Sequence, residues 1–550
     1  MSTEQQRFDV VIVGAGPTGL ALANLLGMHG NRVAVIEARS ELIDYPRGVG
    51  VDDETLRTFQ AIDLSDKVIE HVVPNQLVIY VDKKGVELAR MAPKAAPFGW
   101  PRRNGFIQPL VDAVLLEGLQ RFPNVEVFWG HEMTSFTDDG ASVTIATMTP
   151  GGTREFVADY LVGCDGGRSE IRKAIGVSFD GLSSSTSWLV VDLNDDPLGT
   201  PNCYVGCDPN RPYISIGLPH AVRRFEFMLF KEDGETTDPF ASARRLMEPF
   251  VPAGKPVDIL RAREYTHNAR VAGSFIHGRV LLAGDAAHLM PVWQGQGYNT
   301  GNRDASNLGW KLDYVLRGLA DARLLQTYDT ERRPHATAMV KLSNLTGRFL
   351  SPTNKLVAGT RDVLAKVLGK LVPSVRDYVA EMRFKPMPTY TEGAVYKPAE
   401  SADSPAGRLF IQPQVRTSDG GIAKLDDVIG HRFGVLQWEN DPRHFFDDET
   451  LRLLRNLDAR FITVRSGGFD LDDEVDTVDV QGDDAEARVV LDVDGKLRQW
   501  FDEHRTTLVL LRPDRIIAGA SQPQHAVDTF NAVADRMYLT RASMPTATAR

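Results

Sequence analysis

The sequence predicts an α/β protein in which a Rossmann-like dinucleotide-binding domain is interleaved with an antiparallel-sheet domain, followed by a C-terminal α/β unit. Three observations predict it. The chain opens with a strand, a Gly-x-Gly-x-x-Gly turn, a helix and a second strand ending in an acid. Alternating runs that suit an antiparallel sheet fill residues 186–231. Residues 278–312 then return the chain to the nucleotide fold, with a buried strand, an acidic turn and a glycine-rich loop that opens a long helix.

The first element, FDVVIV at 8–13, is an apolar strand-like run. Gly14-Ala15-Gly16-Pro17-Thr18-Gly19 follows, then a helix over 20–29 and a strand over 32–38 that carries Glu37. In such a unit the glycines permit a tight turn and close approach to a pyrophosphate, and the acid suits ribose hydroxyls. Pro46-Arg47-Gly48 leads into a helix around 54–61. Residues 76–104 alternate and then become Pro-rich. A helix spans 108–121, and strands lie near 125–129, 141–147 and 155–164, the last reaching Cys164-Asp165-Gly166-Gly167-Arg168-Ser169. Within the antiparallel region YISIGL and RFEFMLF are the clearest alternations, and 235–250 reads as a helix. Further helices cover 299–318 and 330–350, and a linker runs from Lys397 to Gly407. The last unit has strand runs RFGVLQW, ARFITVR, TTLVLLR and RIIAGA, with helices around 448–456 and 523–536.

Composition excludes several function classes. The 550 residues carry 62 basic and 73 acidic side chains, net −11, which leaves no basic footprint for nucleic acid or an anionic membrane. No apolar run approaches the roughly 18 residues of a membrane span. The start, MSTEQQRFDVV, lacks a basic segment followed by an apolar run, so no secretory leader is expected. Three cysteines, Cys164, Cys203 and Cys207, exclude a disulfide framework and fit a reducing compartment, so a cytoplasmic location is expected. Cys203 and Cys207 have CxxxC spacing without a second ligand pair; they read as strand cysteines, and no metal site is expected.

The motifs GAGPTG, CDGGRS and GDAAH, in this order, resemble the group A flavoprotein aromatic hydroxylases over the first 345 or so residues. The resemblance implies a Rossmann-like FAD-binding domain of GR2 type over 1–75, 105–175 and 271–345. It implies a substrate-binding β-sheet domain over 76–104 and 176–270, a helical segment and linker over 346–400, and a thioredoxin-like C-terminal domain over 401–550. FAD contacts are expected from Gly14, Gly16, Pro17, Thr18, Gly19, Glu37, Ala38, Arg39, Arg47 and Gln108. They are also expected from Asp165, Gly166, Gly284, Asp285, Pro291, Gly295, Gly297, Tyr298 and Asn299, with Asp285 on the ribityl chain and Ser169 and Arg172 behind the second motif. Longer strings, among them IDYPR, FGWPRRN, YTHNAR, PVWQGQGYN and EMRFKPMP, are similar to family members that hydroxylate meta-hydroxylated phenylpropanoid acids. The expected cofactors are bound FAD, NADH or NADPH as transient reductant (NADH favoured by the resemblance) and O2 as co-substrate. The expected partner is a small phenolic acid, and a homo-oligomer is compatible with the sequence. The C-terminal unit has no cysteine, so it is not a dithiol redox module.

The residues constrain the chemistry independently. A single dinucleotide unit and no metal cluster imply one permanent flavin visited by the reductant. Hydroxylation then needs hydride transfer, O2 reaction at the flavin C4a, exclusion of water and an electron-rich ring. A phenol with a pKa of about 10 needs a base or relay. Resemblance to related phenol hydroxylases, which place an aspartate five residues before an Arg-Thr pair (here Arg57-Thr58), implies Asp52 as the candidate, with His220 and Tyr265 as alternatives; a solvated acid at a helix start would look the same as Asp52 in sequence. The carboxylate tail needs a cation, and Arg211, Arg223 or Arg224 are candidates, with Tyr213, Trp293 and Gln294 as further substrate contacts. Alternation puts Arg224, Glu226 and Met228 on one face of their strand and Arg223, Phe225 and Phe227 on the other, without showing which face meets the flavin. Pro291 to Gln294 could wall the flavin front. The resemblance implies a structural role by the flavin for His288, since family members carry the same GDAAH string whatever their substrate, and His267 and Asn268 read as satisfying backbone groups before a strand. A flavin halogenase would show a WxWxIP string, which is absent. A reductase on the same scaffold and a non-catalytic flavoprotein are the other readings.

Overall fold

The computed structural model describes residues 6–233, 238–252, 254–255, 257–398, 403–467 and 487–541. The start of the helix expected over 235–250 and part of the linker from Lys397 to Gly407 lie outside them. The chain divides into two compact units, Met1–Ala96 with Trp100–Ala305 and Arg333–Pro386, and Pro97–Gly99 with Ser306–Arg332 and Met387–Arg550.

The first unit holds two eight-stranded sheets. One has a parallel centre: Gln6–Val13 lies between Val33–Glu37 and Gly152–Gly163, with Val125–Trp129 and Val280–Leu282 outside them. Its strands read as continuous apolar runs because both faces are covered. Glu132–Asp138, a strand not expected from the sequence, pairs with Val143–Thr149; it is mostly exposed and polar, so it carries no hydrophobic period.

The second sheet is ordered His288–Leu289, Ile259–Ala272, Phe179–Leu193, Arg223–Met228, Tyr213–Gly217, Cys203–Gly206, Val78–Val81, Glu87–Met91. One face packs Leu189, Val191, Phe225 and Phe227 against Ala243, Leu246 and Met247 of the helix Pro239–Met247. The other face carries Val78, Cys203, Val205, Ile214 and Ile216.

In the second unit a seven-stranded sheet has a parallel centre of Gly434–Trp438, Arg460–Ser466 and Ala487–Asp492, with antiparallel strands on both flanks. Alternate residues feed two cores. Val435, Phe461 and Leu510 join Leu454 and Phe530, while Leu436, Ile462 and Val509 join Leu497 and Trp500. The unit begins earlier in the chain than the boundary expected at 401, because Trp310, Tyr314, Leu319 and Leu324 belong to its core. No cysteine lies in it. Among the described residues no helix is long and apolar enough to cross a membrane.

Candidate active site

Local sterics shape the glycine turn. Gly14, at φ +112°, ends the first strand where a Cβ would come within 2.3 Å of the Cys164 carbonyl, so only glycine lets the two strand ends meet. Gly16 caps the helix Pro17–Met28 with no side-chain hydrogen bond and no acid in the first turn, and a Cβ there would meet open space. That helix start presents unsatisfied N–H groups suited to a phosphate. Glu37 sits beside the turn, accepting from Ala15 N at 2.9 Å and from Arg39 N at 3.0 Å.

A cavity of about 250 Å³ lies against this turn. Part of its wall is polar and glycine-rich: Gly16, Pro17, Thr18, Gly166, Asp285 and Gly297. Part is apolar and comes from the second sheet and the loop before the long helix: Val78, Val205, Ile214, Ile216, Pro291 and Trp293. Arg47, Gln108, Gly295 and Tyr298 also line it. Gln108 staples the Arg47 loop, its Oε1 accepting from Arg47 N at 3.0 Å and Gly48 N at 2.8 Å. Burial pushes the Asp285 carboxyl up, an effect that Arg47 and His288 partly offset. Asp304 holds the Asp285 turn in place: its Oδ2 accepts from Gly284 N at 3.0 Å and lies 2.7 Å from His288 Nε2. His288 spends Nε2 there while its Nδ1 is buried with no hydrogen-bond partner, and the ring is not on the cavity wall.

Gly14, Gly19, Glu37, Ala38, Arg39, Asp165 and Gly284 surround the turns without lining the cavity itself. Asp165 accepts from Ile171 N at 3.2 Å with Oδ2, while its Oδ1 is buried with no hydrogen-bond partner. Asn299, expected to meet the flavin edge through its backbone N–H, has its side chain engaged within the protein. Its Oδ1 accepts from Asp52 N at 3.0 Å and Thr55 Oγ1 at 2.8 Å, and its Nδ2 donates to Gly50 O at 3.0 Å and Gly295 O at 2.8 Å. The side-chain amide is thus spent clamping protein segments, with its backbone N–H in the first turn of the helix Gly297–Leu316.

Asp52 departs from expectation. It caps the helix Asp53–Ala61, accepting from Thr55 N at 3.0 Å, and its other oxygen meets Arg303 and, at 2.8 Å, Lys385. Glu54 shares both cations, with Arg303 Nε at 2.6 Å and Lys385 Nζ at 2.8 Å. Burial pushes the Asp52 and Glu54 carboxyls up, but Arg303 and Lys385 outweigh it and hold both below the usual carboxylate range. A carboxylate so held is a poor proton acceptor, and neither acid lines the cavity. Asp53 beside them is the reverse case: burial raises its carboxyl to about 7.

Other expected site residues are placed elsewhere. His220 stands at the hairpin tip with φ +56°, its Nε2 3.1 Å from His71 Nδ1. Arg211 forms a two-pronged pair with Asp233, at 2.8 and 3.0 Å. Arg223 pairs with Asp196 at 2.7 Å, and Arg224 with Asp192 at 2.7 and 2.9 Å. Their strand is buried along its whole length, so each cation needs a local partner and none is left for a ligand. Tyr213 packs edge-on to Phe250 at 4.5 Å, on the face opposite Ile214 and Ile216. Gln294 donates to Thr346 Oγ1 at 2.8 Å.

Tyr265 does reach the cavity's chemistry, through a residue that sequence reasoning left out. Glu226 lines the cavity, and its Oε2 accepts from Tyr265 Oη at 2.9 Å; His267 Nε2 lies 3.1 Å from the same hydroxyl. His267 stands inside the strand Ile259–Ala272, and its partner is a side chain, contrary to its expected backbone role. Its ring stacks on Trp188 at 5.4 Å, edge-on to Trp293 at 5.8 Å. Burial pushes Glu226 up, opposed by Arg224 and Tyr265, and lowers His267 to about 4. The alternation of RFEFML had put Glu226 opposite the phenylalanines; which face meets the cavity is a tertiary fact. Arg103 is also on the wall, as is Cys203, which lies in the strand Cys203–Gly206 as its reading as a strand cysteine expects.

This arrangement fits FAD. The open helix start at Gly16 suits the pyrophosphate, Glu37 the adenosine ribose and Asp285 the ribityl hydroxyls. The N-terminus of Gly297–Leu316 suits the electron-rich edge of the flavin ring.

Comparison with known proteins agrees with the geometry. The FAD binding domain family matches residues 7–343, and the HcaD C-terminal domain family matches residues 407–536. A 3-(3-hydroxy-phenyl)propionate/3-hydroxycinnamic acid hydroxylase from Mycolicibacterium smegmatis is 52% identical over 538 residues, covering 96% of this chain and 93% of that protein. A protein of the same name from Escherichia coli is 46% identical over 537 residues, covering 97% and 95%. Among solved structures, the anhydrotetracycline hydroxylase from Streptomyces rimosus is similar at TM-score 0.74 and 26% identity, covering 97% of this chain and 99% of that one. Aklavinone-11 hydroxylase with FAD and aklavinone is similar in fold at TM-score 0.77 and 22% identity, with the same coverage.

Proposed function

Because this chain belongs to the FAD-dependent aromatic hydroxylases, we propose that it hydroxylates 3-(3-hydroxyphenyl)propionate and 3-hydroxycinnamate next to the existing hydroxyl. The reaction consumes one NADH, one proton and one O2, and yields the 2,3-dihydroxy product, NAD+ and water. The near-full-length identity to hydroxylases named for these two acids is the observation that carries the reading. Three unpaired cysteines and an acidic balance support a cytoplasmic protein.

Bound FAD supplies the redox chemistry, accepting hydride and activating O2 for transfer to the ring. The protein's own residues do the rest. Ile214, Ile216, Val205 and Trp293 make an apolar wall that excludes water from the reacting centre. Glu226 is the group suited to accept the phenolic proton. Burial moves it toward the phenol's own pKa, and Tyr265 donates to Oε2, while Oε1 lies 3.9 Å from Arg224 Nη1, beyond hydrogen-bond distance, and can accept from the substrate hydroxyl. Deprotonation makes the ring more nucleophilic at the ortho carbon. Tyr265 and His267 hold the carboxylate oriented, and Asp52 serves to fix the helix behind the site.

Two measurements test this reading. Incubated with NADH, air and meta-hydroxylated phenylpropanoids, the enzyme is expected to consume NADH and O2 in equal amounts and release a catechol. Release of hydrogen peroxide alone, with every acid unchanged, would overturn it. Glu226→Gln is expected to slow ring hydroxylation by about 10²–10⁴-fold while flavin reduction by NADH stays close to wild type. An unchanged hydroxylation rate would remove the base assignment.

A further inference from the structure

We propose that Arg103 is the residue that holds the substrate's carboxylate and thereby selects phenolic acids over uncharged phenols. The inference rests on the hydroxylase reading above and names the group that sets its substrate class.

The cavity wall carries four charged side chains: Arg47, Arg103, Glu226 and Asp285. Arg47 and Asp285 stand with the glycine turns, and Arg47 acts on Asp285 electrostatically. Glu226 has Tyr265. Arg103 has no carboxylate partner among the described residues, and its Nε is buried without any hydrogen-bond partner. On the sheet it faces Cys203 and Tyr80: burial pushes both groups up, and the guanidinium partly offsets this by its charge, aided at Cys203 by a hydrogen bond. A buried guanidinium N–H without an acceptor is costly, and natural sites place such a group where a ligand completes it.

Position supports the assignment. Arg103 precedes the strand Asn104–Phe106, which pairs with Gly50–Val51 and Val72–Val73, so its backbone is fixed on two sides. A Cβ on Gly50 would stand 3.5 Å from Arg103 Nη1, and one on Gly295 would stand 3.8 Å from it. Nη1 therefore lies between the strand start at Gly50 and the turn at Gly295, where neither residue carries a side chain. Cys203 experiences both Arg103 and Glu226, so the cation and the proposed base act on the same stretch of sheet. A meta-substituted phenol with a short acidic tail presents a hydroxyl and a carboxylate, and the cavity wall offers Glu226 to the one and Arg103 to the other. The planar guanidinium can donate two parallel hydrogen bonds to that carboxylate. Arg211, Arg223 and Arg224, the other arginines considered for the task, are already paired with Asp233, Asp196 and Asp192.

The test compares 3-(3-hydroxyphenyl)propionate with 3-propylphenol in the FAD-loaded wild type, Arg103→Met and Arg103→Lys. With Arg103→Met the KM for the acid is expected to rise by about 10–150-fold, the range a hydrogen bond to a charged group supplies. The KM for 3-propylphenol is expected to stay within about threefold, and Arg103→Lys, which keeps the charge without the fork, to fall between. FAD affinity, read by flavin fluorescence, is expected to match wild type in both variants. Equal losses on the two substrates, an unchanged KM for the acid, or loss of FAD would each overturn the proposal. A wild type that hydroxylates 3-propylphenol but not the acid would instead overturn the substrate reading on which the proposal rests.

Discussion

Arg303→Met is expected to destabilise the protein by about 3–5 kcal/mol, read as a shift in the urea midpoint. The variant leaves Asp52 and Glu54 buried with Lys385 as their one remaining close cation among the described residues. Removing one partner of a buried ion network costs more than the network contributes, because the orphaned charge stays out of water. The pH dependence carries the sign of the effect. In the wild type the folded Asp52 and Glu54 carboxyls lie below their ordinary range, so their contribution is fully present above about pH 4.5 and is lost as the pH falls further. In the variant an uncompensated buried carboxyl titrates above its unfolded value, so stability is greatest in acid and falls as the pH rises. The gap between the two proteins should therefore narrow on acidification from about pH 8 to about pH 5. A gap that is constant or widens would show that the network's charges are not what Arg303 supports. Adding Glu54→Gln to Arg303→Met should restore part of the loss, whereas independent packing effects would add.

Asp285→Ala is expected to yield largely colourless protein. Losing a carboxylate that accepts from cofactor hydroxyls costs roughly 1.5–3 kcal/mol, which weakens FAD binding by about 10–150-fold. Titration of the apoprotein with FAD, followed by quenching of flavin fluorescence, measures the change. Stoichiometric yellow protein with wild-type affinity would remove Asp285 from the cofactor's contacts.

What the sequence made legible follows the range of the forces involved. The glycine turn at 14–19 and its acid at Glu37 lie within a single strand–helix–strand unit, so their spacing announces them. Gly284 and Asp285 are legible for the same reason. Asp52 was legible only as an acid at a helix start. What decides its role is Arg303, 251 residues away, and Lys385, 333 residues away, and no local pattern encodes such partners. The strand Arg223–Met228 shows the same limit. Alternation separates Glu226 from Phe225 and Phe227, but the choice of face depends on where the helix Pro239–Met247 and the cavity lie. The three arginines expected to hold a carboxylate were credible by residue type, and each turned out to be paired with an aspartate 22 to 32 residues distant in sequence. Arg103 sits in a Pro-rich stretch with no periodicity to recommend it.

The ion network behind the site also sets a clock. Lys385 follows Asp52 by 333 residues, which at about 5–20 residues per second is an interval of about 17–67 s on the ribosome. Until then the acids at 52–54 have no full complement of cations and stay hydrated, so the helix they begin cannot settle into its buried place. Full neutralisation of those buried acids is thus tied to a lysine made late in synthesis, after every glycine of the nucleotide fold.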